Sequence, residues 1–224
     1  MTAGLRLLSW NVRDLLGDPL AVARVITSAT PDVVCLQEAP RWPGSRWRLA
    51  ALARACGLVV VGGGRSAAGT AVLASLRAGA GPADELRLPV EGRMTRPRGA
   101  VLVEVRPPSA PPLTVASVHL GLAPQERAQH VALLVARLRR AGGRVVVAGD
   151  LNETPEGPSW AGLAAVAGDA TPASGPTFPA AAPRARIDAV LAGPGVLLDD
   201  PAWEPEQHDV LLASDHRPVL RVVG

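Results

Sequence analysis

Asp150 and Asn152 are the residues whose types and spacing most directly suggest chemistry. They follow Val145-Val146-Val147-Ala148-Gly149, a β-branched run that reads as a buried strand, and Gly149 is expected to turn the backbone sharply at its end. On extended chain, residues two apart share a side, so a carboxylate and a carboxamide would point together into a cleft just past the strand. The alternative is an Asx turn, in which both side chains only bond nearby backbone. The octapeptide alone leaves both open.

Elsewhere, polar residues again stand at the ends of apolar strands: Asn11, Glu38, His119, Asp188, and Asp215 with His216. Singly each is ordinary, as a capping Asp, a turn over Ser214 to Pro218, or a satisfied core histidine. Together they supply hard oxygen ligands for a divalent cation, two imidazoles, and a carboxylate to orient one of them. That set suits hydrolysis of a phosphate ester. Attack by water places negative charge on nonbridging and leaving oxygens, where a cation and imidazolium donors lower the barrier.

The elements that must position these residues can be traced in order. Leu5 to Val12 reads as a strand; Asp18-Pro19 starts a helix with Leu20, Ala23, Val25 and Ile26 on its core face; Thr30-Pro31 stops it. Asp32 to Glu38 is a short buried strand. Ser45 to Cys56 reads as a helix with Trp47, Ala50, Ala51 and the following Leu58 as core contacts. Val59 to Val61, Thr70 to Leu76 and Leu86 to Leu88 are strand candidates between Gly-rich turns. Gly62-Gly63-Gly64 lacks the Lys and Ser/Thr of a phosphate loop and reads as a plain turn.

Ala100 to Val105 and Leu113 to Leu120 are two further strands. Pro124 to Arg140 is the clearest helix, with Ala128, Val131, Val135 and Leu138 at helical spacing and His130 reading as solvent-facing. Pro158 to Val166 is a short helix, and Gly168 to Arg186 a loose, mobile loop. Ile187 to Leu191, Val196 to Trp203 and Val219 to Val223 complete the strands. Many strands with three or four helices predict two packed sheets flanked by helices, an α+β architecture.

At 224 residues the chain is expected to form one domain spanning 1–224. All 23 basic residues are Arg, and neither Lys nor Tyr occurs. With few groups titrating between His and Arg, a net charge of only +3 is enough to place the pI near 10.0. The pI therefore says little about partners. Cys35 and Cys56 have no metal-like spacing and read as packed thiols. No apolar run approaches membrane-spanning length and no leader is visible, so a cytoplasmic monomer is the expectation.

The chain resembles the endonuclease/exonuclease/phosphatase superfamily with the DNase I-like fold. The resemblance is carried by Ser9-Trp10-Asn11, Leu36-Gln37-Glu38, Ser117-Val118-His119-Leu120, Ala148-Gly149-Asp150-Leu151-Asn152, Thr177-Phe178 before Arg186-Ile187-Asp188, and Ser214-Asp215-His216-Arg217-Pro218, in the family's order. It implies a four-layer αββα sandwich of two mainly antiparallel sheets, with the site at one edge. It also implies Glu38 as the metal ligand with Asn11 and Asp215 as neighbours or further ligands, and Mg²⁺ or Mn²⁺ as cofactor. Asp150 and Asn152 would position and activate water, Asp188 would hold His216, and His119 would stabilise phosphate oxygens or protonate the leaving group. The resemblance leaves the general base open between Asp150 and His216.

Some features depart from the family's apurinic-site nucleases. Arg13 stands where many of them carry an acid, no Tyr is present, and Leu151 and Ala189 replace residues that are often aromatic. An unspecialised bacterial-type member is expected. Its function would be metal-dependent phosphodiester hydrolysis, first of all as a nuclease on DNA or RNA. A phosphatase or phospholipase C-type enzyme is the alternative, and an inactive binding scaffold a third. Arg93, Arg96 and Arg98 are expected near the rim of the site, with Arg98 contacting substrate phosphate.

Overall fold

The computed structural model describes residues 4–92, 95–108, 110–168 and 175–224. Arg93 and the part of the expected mobile loop spanning 169–174 lie outside them. Strand β1 (Leu5–Asn11) leads to helix α1 (Pro19–Ala29) and strand β2 (Val33–Gln37). Asp18 starts the helix, its Oδ1 accepting the Leu20 N–H at 2.8 Å, and Thr30 ends it in the left-handed region. The chain continues through α2 (Ser45–Ala55), the hairpin β3 (Val59–Gly64) and β4 (Thr70–Ala74), then β5 (Ala83–Leu88), β6 (Arg98–Val105) and β7 (Leu113–His119). Next come α3 (Pro124–Ala141), β8 (Arg144–Asp150), α4 (Pro158–Ala167), β9 (Asp188–Ala192), β10 (Leu198–Asp199), α5 (Gln207–Ala213) and β11 (Val219–Val223).

The strands form two sheets, one ordered β10-β11-β1-β2-β4-β3 and the other β5-β6-β7-β8-β9. Each sheet is antiparallel except for one central pair: β1 runs parallel to β2, and β7 to β8. A parallel pair needs a crossover, supplied here by α1 and α3. Both central pairs therefore end on the same kind of edge, with Asn11 and Gln37 in register in one sheet and His119 and Asp150 in the other. This α+β sandwich is the one expected.

Three apolar clusters separate four layers. Leu5, Leu7, Val33, Val72, Val101, Val115, Val146 and Val190 fill the space between the sheets. Leu8, Trp10, Val22, Ile26, Leu36, Leu49 and Leu52 pack α1 and α2 on the first sheet. Val118, Leu134, Leu138, Val147, Leu163 and Leu191 pack α3 and α4 on the second. Alternation along each strand sends one side chain to the inter-sheet core and the next to the helices.

Several helix faces differ from the sequence expectation. Leu20 is exposed because the inward stripe of α1 is Val22, Val25, Ile26 and Ala29, two residues out of phase with it. In α2 the inward residues are Leu49, Leu52 and Ala53, which leaves Trp47, Ala50 and Ala51 outside, although Leu58 is buried as expected. In α3, Ala128 is exposed and Leu134 and Leu138 lead the buried stripe. His130 lies on that stripe, fully buried rather than solvent-facing. Its Nδ1 accepts the Gly121 N–H at 3.2 Å and its Nε2 bonds the Pro89 carbonyl, which satisfies the ring without water.

Glycines also behave differently. Gly62, Gly63 and Gly64 belong to β3, not to a turn. Gly149 does not turn the chain; it is extended inside β8, and a Cβ there would overlap the Val118 carbonyl of the neighbouring strand. Its role is close approach of two backbones. Of the strand expected over Val196 to Trp203 only β10 forms. The described part of the loop before β9 is tied down, with Thr177 and Phe178 N–H groups both donating to Ala185 O. Both cysteines are free thiols, and among the described residues no helix is long and apolar enough to cross a membrane.

Candidate active site

The two parallel pairs deliver their last residues to one edge of the sandwich, and Asp150 is the centre of what gathers there. Its Oδ2 accepts the Asn11 Nδ2–H at 3.0 Å across the sheet-sheet boundary. The same oxygen lies 3.4 Å from His119 Nε2 and 3.9 Å from His216 Nε2. Its Oδ1 accepts the Asn152 N–H at 2.9 Å. The Asx turn and the functional cluster thus coexist: one oxygen shapes the loop and the other faces the site. Asn152 has left the extended chain, at φ 51°, and its Nδ2–H donates to Leu120 O at 2.9 Å instead of sharing a side with Asp150.

Asp188 opens β9 directly across the ladder from Asp150. It meets His216 Nδ1 at 3.0 Å, and the Thr177 hydroxyl oxygen accepts from the Ile187 and Asp188 N–H groups to fix its strand. His216 is held from three further sides. Trp10 Nε1–H donates to its carbonyl at 2.8 Å, Ser214 Oγ accepts its N–H, and the Phe178 ring lies 4.8 Å from its own at 45°. Ser214 Oγ–H in turn donates to Asn11 O at 2.6 Å, pinning the loop to β1.

Burial and charge set the protonation states. Burial, with the Asp188 charge beside it, pushes the Asp150 carboxyl up to about 6, while His216 and the Asn11 hydrogen bond pull it the other way. Burial works against a charged His216, yet Asp188, with Asp150 and Asp215 behind it, lifts that ring to about 9. Burial and the neighbouring Arg98 hold His119 well below the ordinary histidine value. At neutral pH His216 is an imidazolium and His119 a neutral ring.

Glu38 stands just past β2, at φ 49°, with its Oε2 accepting from Arg96 Nη1 at 2.7 Å. The same Arg96 nitrogen is 3.5 Å from Asp14 Oδ2, and Arg41 Nε is 3.5 Å from Asp14 Oδ1. Asp14 is buried and its Oδ2 has no hydrogen-bond partner. The sequence reading missed this residue. Its signal was an acid one position beyond Arg13, offset by a left-handed run at Arg13, Asp14 and Leu15 (φ 48°, 55° and 52°). Non-glycine residues held there cost energy, and here they cluster at the site.

Asp215 is partly exposed, 3.9 Å from Arg13 Nε. Arg98 is not at the rim. It is 5% exposed, its Nε–H donates to Leu120 O at 2.9 Å, and burial lowers its pKa against the pull of the Glu38 and Asp150 charges. Arg96 occupies the mouth instead. The structure thus brings Asn11, His119, Asp150, Asp188 and His216 into direct contact and sets Glu38, Asp14 and Arg96 beside them. Asn152 and Asp215 flank the cluster.

Among the described residues, two places offer ligands for a cation. Asp150, Asp188 and His216 each present a donor atom, all within 4.8 Å of one another. Glu38 and Asp14 share Arg96 between their carboxylates, and the Asp14 Oδ2 on that side accepts no hydrogen bond among the described residues. Hard oxygens predominate in both, the donor set of a divalent cation such as Mg²⁺ or Mn²⁺.

The profile of the Endonuclease/Exonuclease/phosphatase family matches residues 8–216. Among solved structures, a Bacteroides vulgatus endonuclease/exonuclease/phosphatase shares 20% identity, 98% coverage of each chain and a TM-score of 0.75. A mannosyl-6-phosphatase from Bacteroides thetaiotaomicron shares 17% identity over 98% of this chain and 99% of its own, at 0.77. A humanized D. rerio TDP2 shares 22% identity over 99% of each chain, at 0.71. Comparison with curated proteins gives no significant match. The likeness in three dimensions establishes the fold, and the profile match establishes kinship: this chain belongs to the Endonuclease/Exonuclease/phosphatase family of phosphate-ester hydrolases.

Proposed function

We propose that the protein is a divalent-metal-dependent phosphodiesterase acting on nucleic acid. The reading rests on one observation: a buried carboxylate oxygen of Asp150 faced at once by Asn11 at the end of β1, His119 at the end of β7 and His216 in the loop before β11. Asp150 orients the attacking water and takes its proton as the oxygen closes on phosphorus, while the bond from phosphorus to the leaving oxygen breaks on the opposite side and that oxygen takes its proton from solvent. His216, kept charged by Asp188, donates to a nonbridging oxygen as negative charge grows there. With its Nδ1 committed to Asp188 and its ring already protonated, His216 is poorly placed to act as the base. His119, neutral, serves as a hydrogen-bonding partner rather than as the acid. Arg98 holds the phosphate being cut, and Asn152 steadies the Leu120 carbonyl to which both residues donate.

Glu38 is the best-suited holder of the cation, with Asp14, Asn11 and Asp215 as neighbours. Its partner Arg96 is half-exposed, and such ion pairs are cheaply exchanged. Entry at the Asp150–Asp188–His216 cluster would break the buried Asp188–His216 bond. When bound, Mg²⁺ or Mn²⁺ would supply Lewis-acid stabilisation of the phosphate oxygens.

The same machinery would hydrolyse a phosphomonoester, and the likeness to a mannosyl-6-phosphatase favours a phosphatase as the second reading. The test is a parallel assay with Mg²⁺ on plasmid DNA, blunt duplex, single-stranded DNA, RNA, a sugar phosphate, a phosphoinositide and sphingomyelin, with Asp150→Ala as control. Cleavage of nucleic acid, lost in the control, is expected. Turnover of a sugar phosphate or lipid alone would replace the nuclease with the phosphatase or phospholipase reading.

A further inference from the structure

Beside the site, on the flank where the edges of the two sheets meet, runs a groove of about 920 Å³ between α2, β3 and β5. Its apolar floor includes Leu49, Val60 and the backbone of Gly62 to Gly64. Two of these glycines are set by close packing against the neighbouring strands: a Cβ on Gly62 would overlap Ala83 Cβ, and one on Gly63 the Thr70 carbonyl. Its walls carry Trp47, Arg46, Arg65 and Arg87, against one acid, Glu85. Glu85 is occupied, since its Oε1 accepts the Gly63 N–H at 2.7 Å. Arg87 braces the neighbouring turn through the Ser66 and Arg65 carbonyls at 3.2 and 2.7 Å. Arg46 and Arg65 are exposed and neither meets a carboxylate among the described residues.

Trp47 is the outlying feature. Helix α2 turns Leu49, Leu52 and Ala53 inward, so the indole stands 82% exposed at the groove's lip, with Trp42 on the preceding loop 58% exposed. A tryptophan this open contributes nothing to the core, but it offers a flat π-face flanked by guanidinium groups. The groove also adjoins the catalytic edge. Pro40 lines it, only two residues after Glu38 and so at most about 7 Å away along the chain. Its neighbour Arg41 turns back to Asp14.

We propose that this groove binds the unpaired strand of a nucleic-acid substrate beyond the phosphate being cut, with a base stacked on Trp47 and the flanking phosphates on Arg46 and Arg65. The inference rests on the nuclease reading and adds to it the form of the substrate. Three cations against one committed acid match a polyanion, and an apolar slot with an exposed aromatic matches a base. The strand must be single, because a duplex hides the faces of its bases in its own stack.

The test separates binding from cleavage. Fluorescence anisotropy of a labelled oligonucleotide of roughly 15 nucleotides, with the full chain in excess chelator, reads the groove alone. The expected results are tighter binding of the single strand than of the matching duplex, and a Kd about 5- to 100-fold weaker for Trp47→Ala. Trp47→Phe, which keeps a π-face, should restore most of the affinity. Arg65→Ala should reduce the log-log salt slope by about 0.7. An unchanged Kd in Trp47→Ala, a preference for duplex, or no binding of either overturns the groove. Cleavage is then followed with Mg²⁺ or Mn²⁺. Strands bound through Trp47 but never cut uphold the groove and overturn the nuclease; strands cut with no dependence on Trp47 do the reverse.

Discussion

Asp188 and Asp150 sit opposite each other in the β8–β9 ladder and approach opposite nitrogens of one ring, Asp188 at 3.0 Å from His216 Nδ1 and Asp150 at 3.9 Å from Nε2. Two buried carboxylates this close would repel, and the imidazolium between them is what makes the arrangement tolerable. If Asp188 acts through His216, Asp188→Asn should cost about 10²- to 10⁴-fold in turnover. Adding His216→Ala should then cost little beyond the His change alone. Multiplicative losses would show that the two residues act independently.

The same pair makes stability depend on pH. His216 binds its proton more tightly folded, at about 9, than unfolded, near the ordinary histidine value of 6.5. Its contribution is therefore complete below about 6.5 and is lost as pH rises toward 9. In chelator, the urea midpoint of the wild type should fall across that window. In His216→Gln the fall attributable to this ring should vanish, and NMR titration should show the wild-type imidazolium persisting past pH 8. A ring that titrates near 6.5 in the folded protein would refute the assignment.

Arg96 and a cation would compete for Glu38. Glu38→Ala should raise the metal concentration needed for half-maximal turnover or abolish turnover, whereas Arg96→Ala should tighten Mn²⁺ binding in calorimetry by a few fold. Full activity in excess chelator would remove the metal from the proposal altogether.

Gly149 should tolerate no side chain. Gly149→Ala drives a methyl into the Val118 backbone, which cannot yield without parting β7 from β8. A loss of about 3 kcal/mol or more is expected, or about 6 to 12 °C in Tm for a chain of this length. Gly142→Ala, where nothing lies within 4 Å, should cost much less, although its positive φ of 64° still disfavours alanine. Equal effects would mean that close approach is not the reason for glycine at 149.

The strands and the order of the polar residues at their ends were legible in the sequence because burial on both faces of a strand leaves an unbroken apolar run, and β2 and β8 hold such runs. Helix faces were less so. Alanine-rich helices give weak phase information, and in α2 the large Trp47 pointed to the wrong side. Helix α5 was missed because seven residues, Gln207–Ala213, hold too few apolar positions to show a period. His130 was misplaced because a buried histidine satisfied by backbone atoms distant in sequence leaves no local trace. Asp14 escaped for a related reason: its approach to Glu38 depends on three left-handed residues that no propensity would suggest.

β1 pairs with β11, so the earliest and latest strands of the fold are neighbours, and His216 arrives only three residues before β11 begins. A change that weakens β11 would therefore loosen both the outer partner of β1 and the anchorage of the His216 loop, even with every polar residue of the cluster still in place.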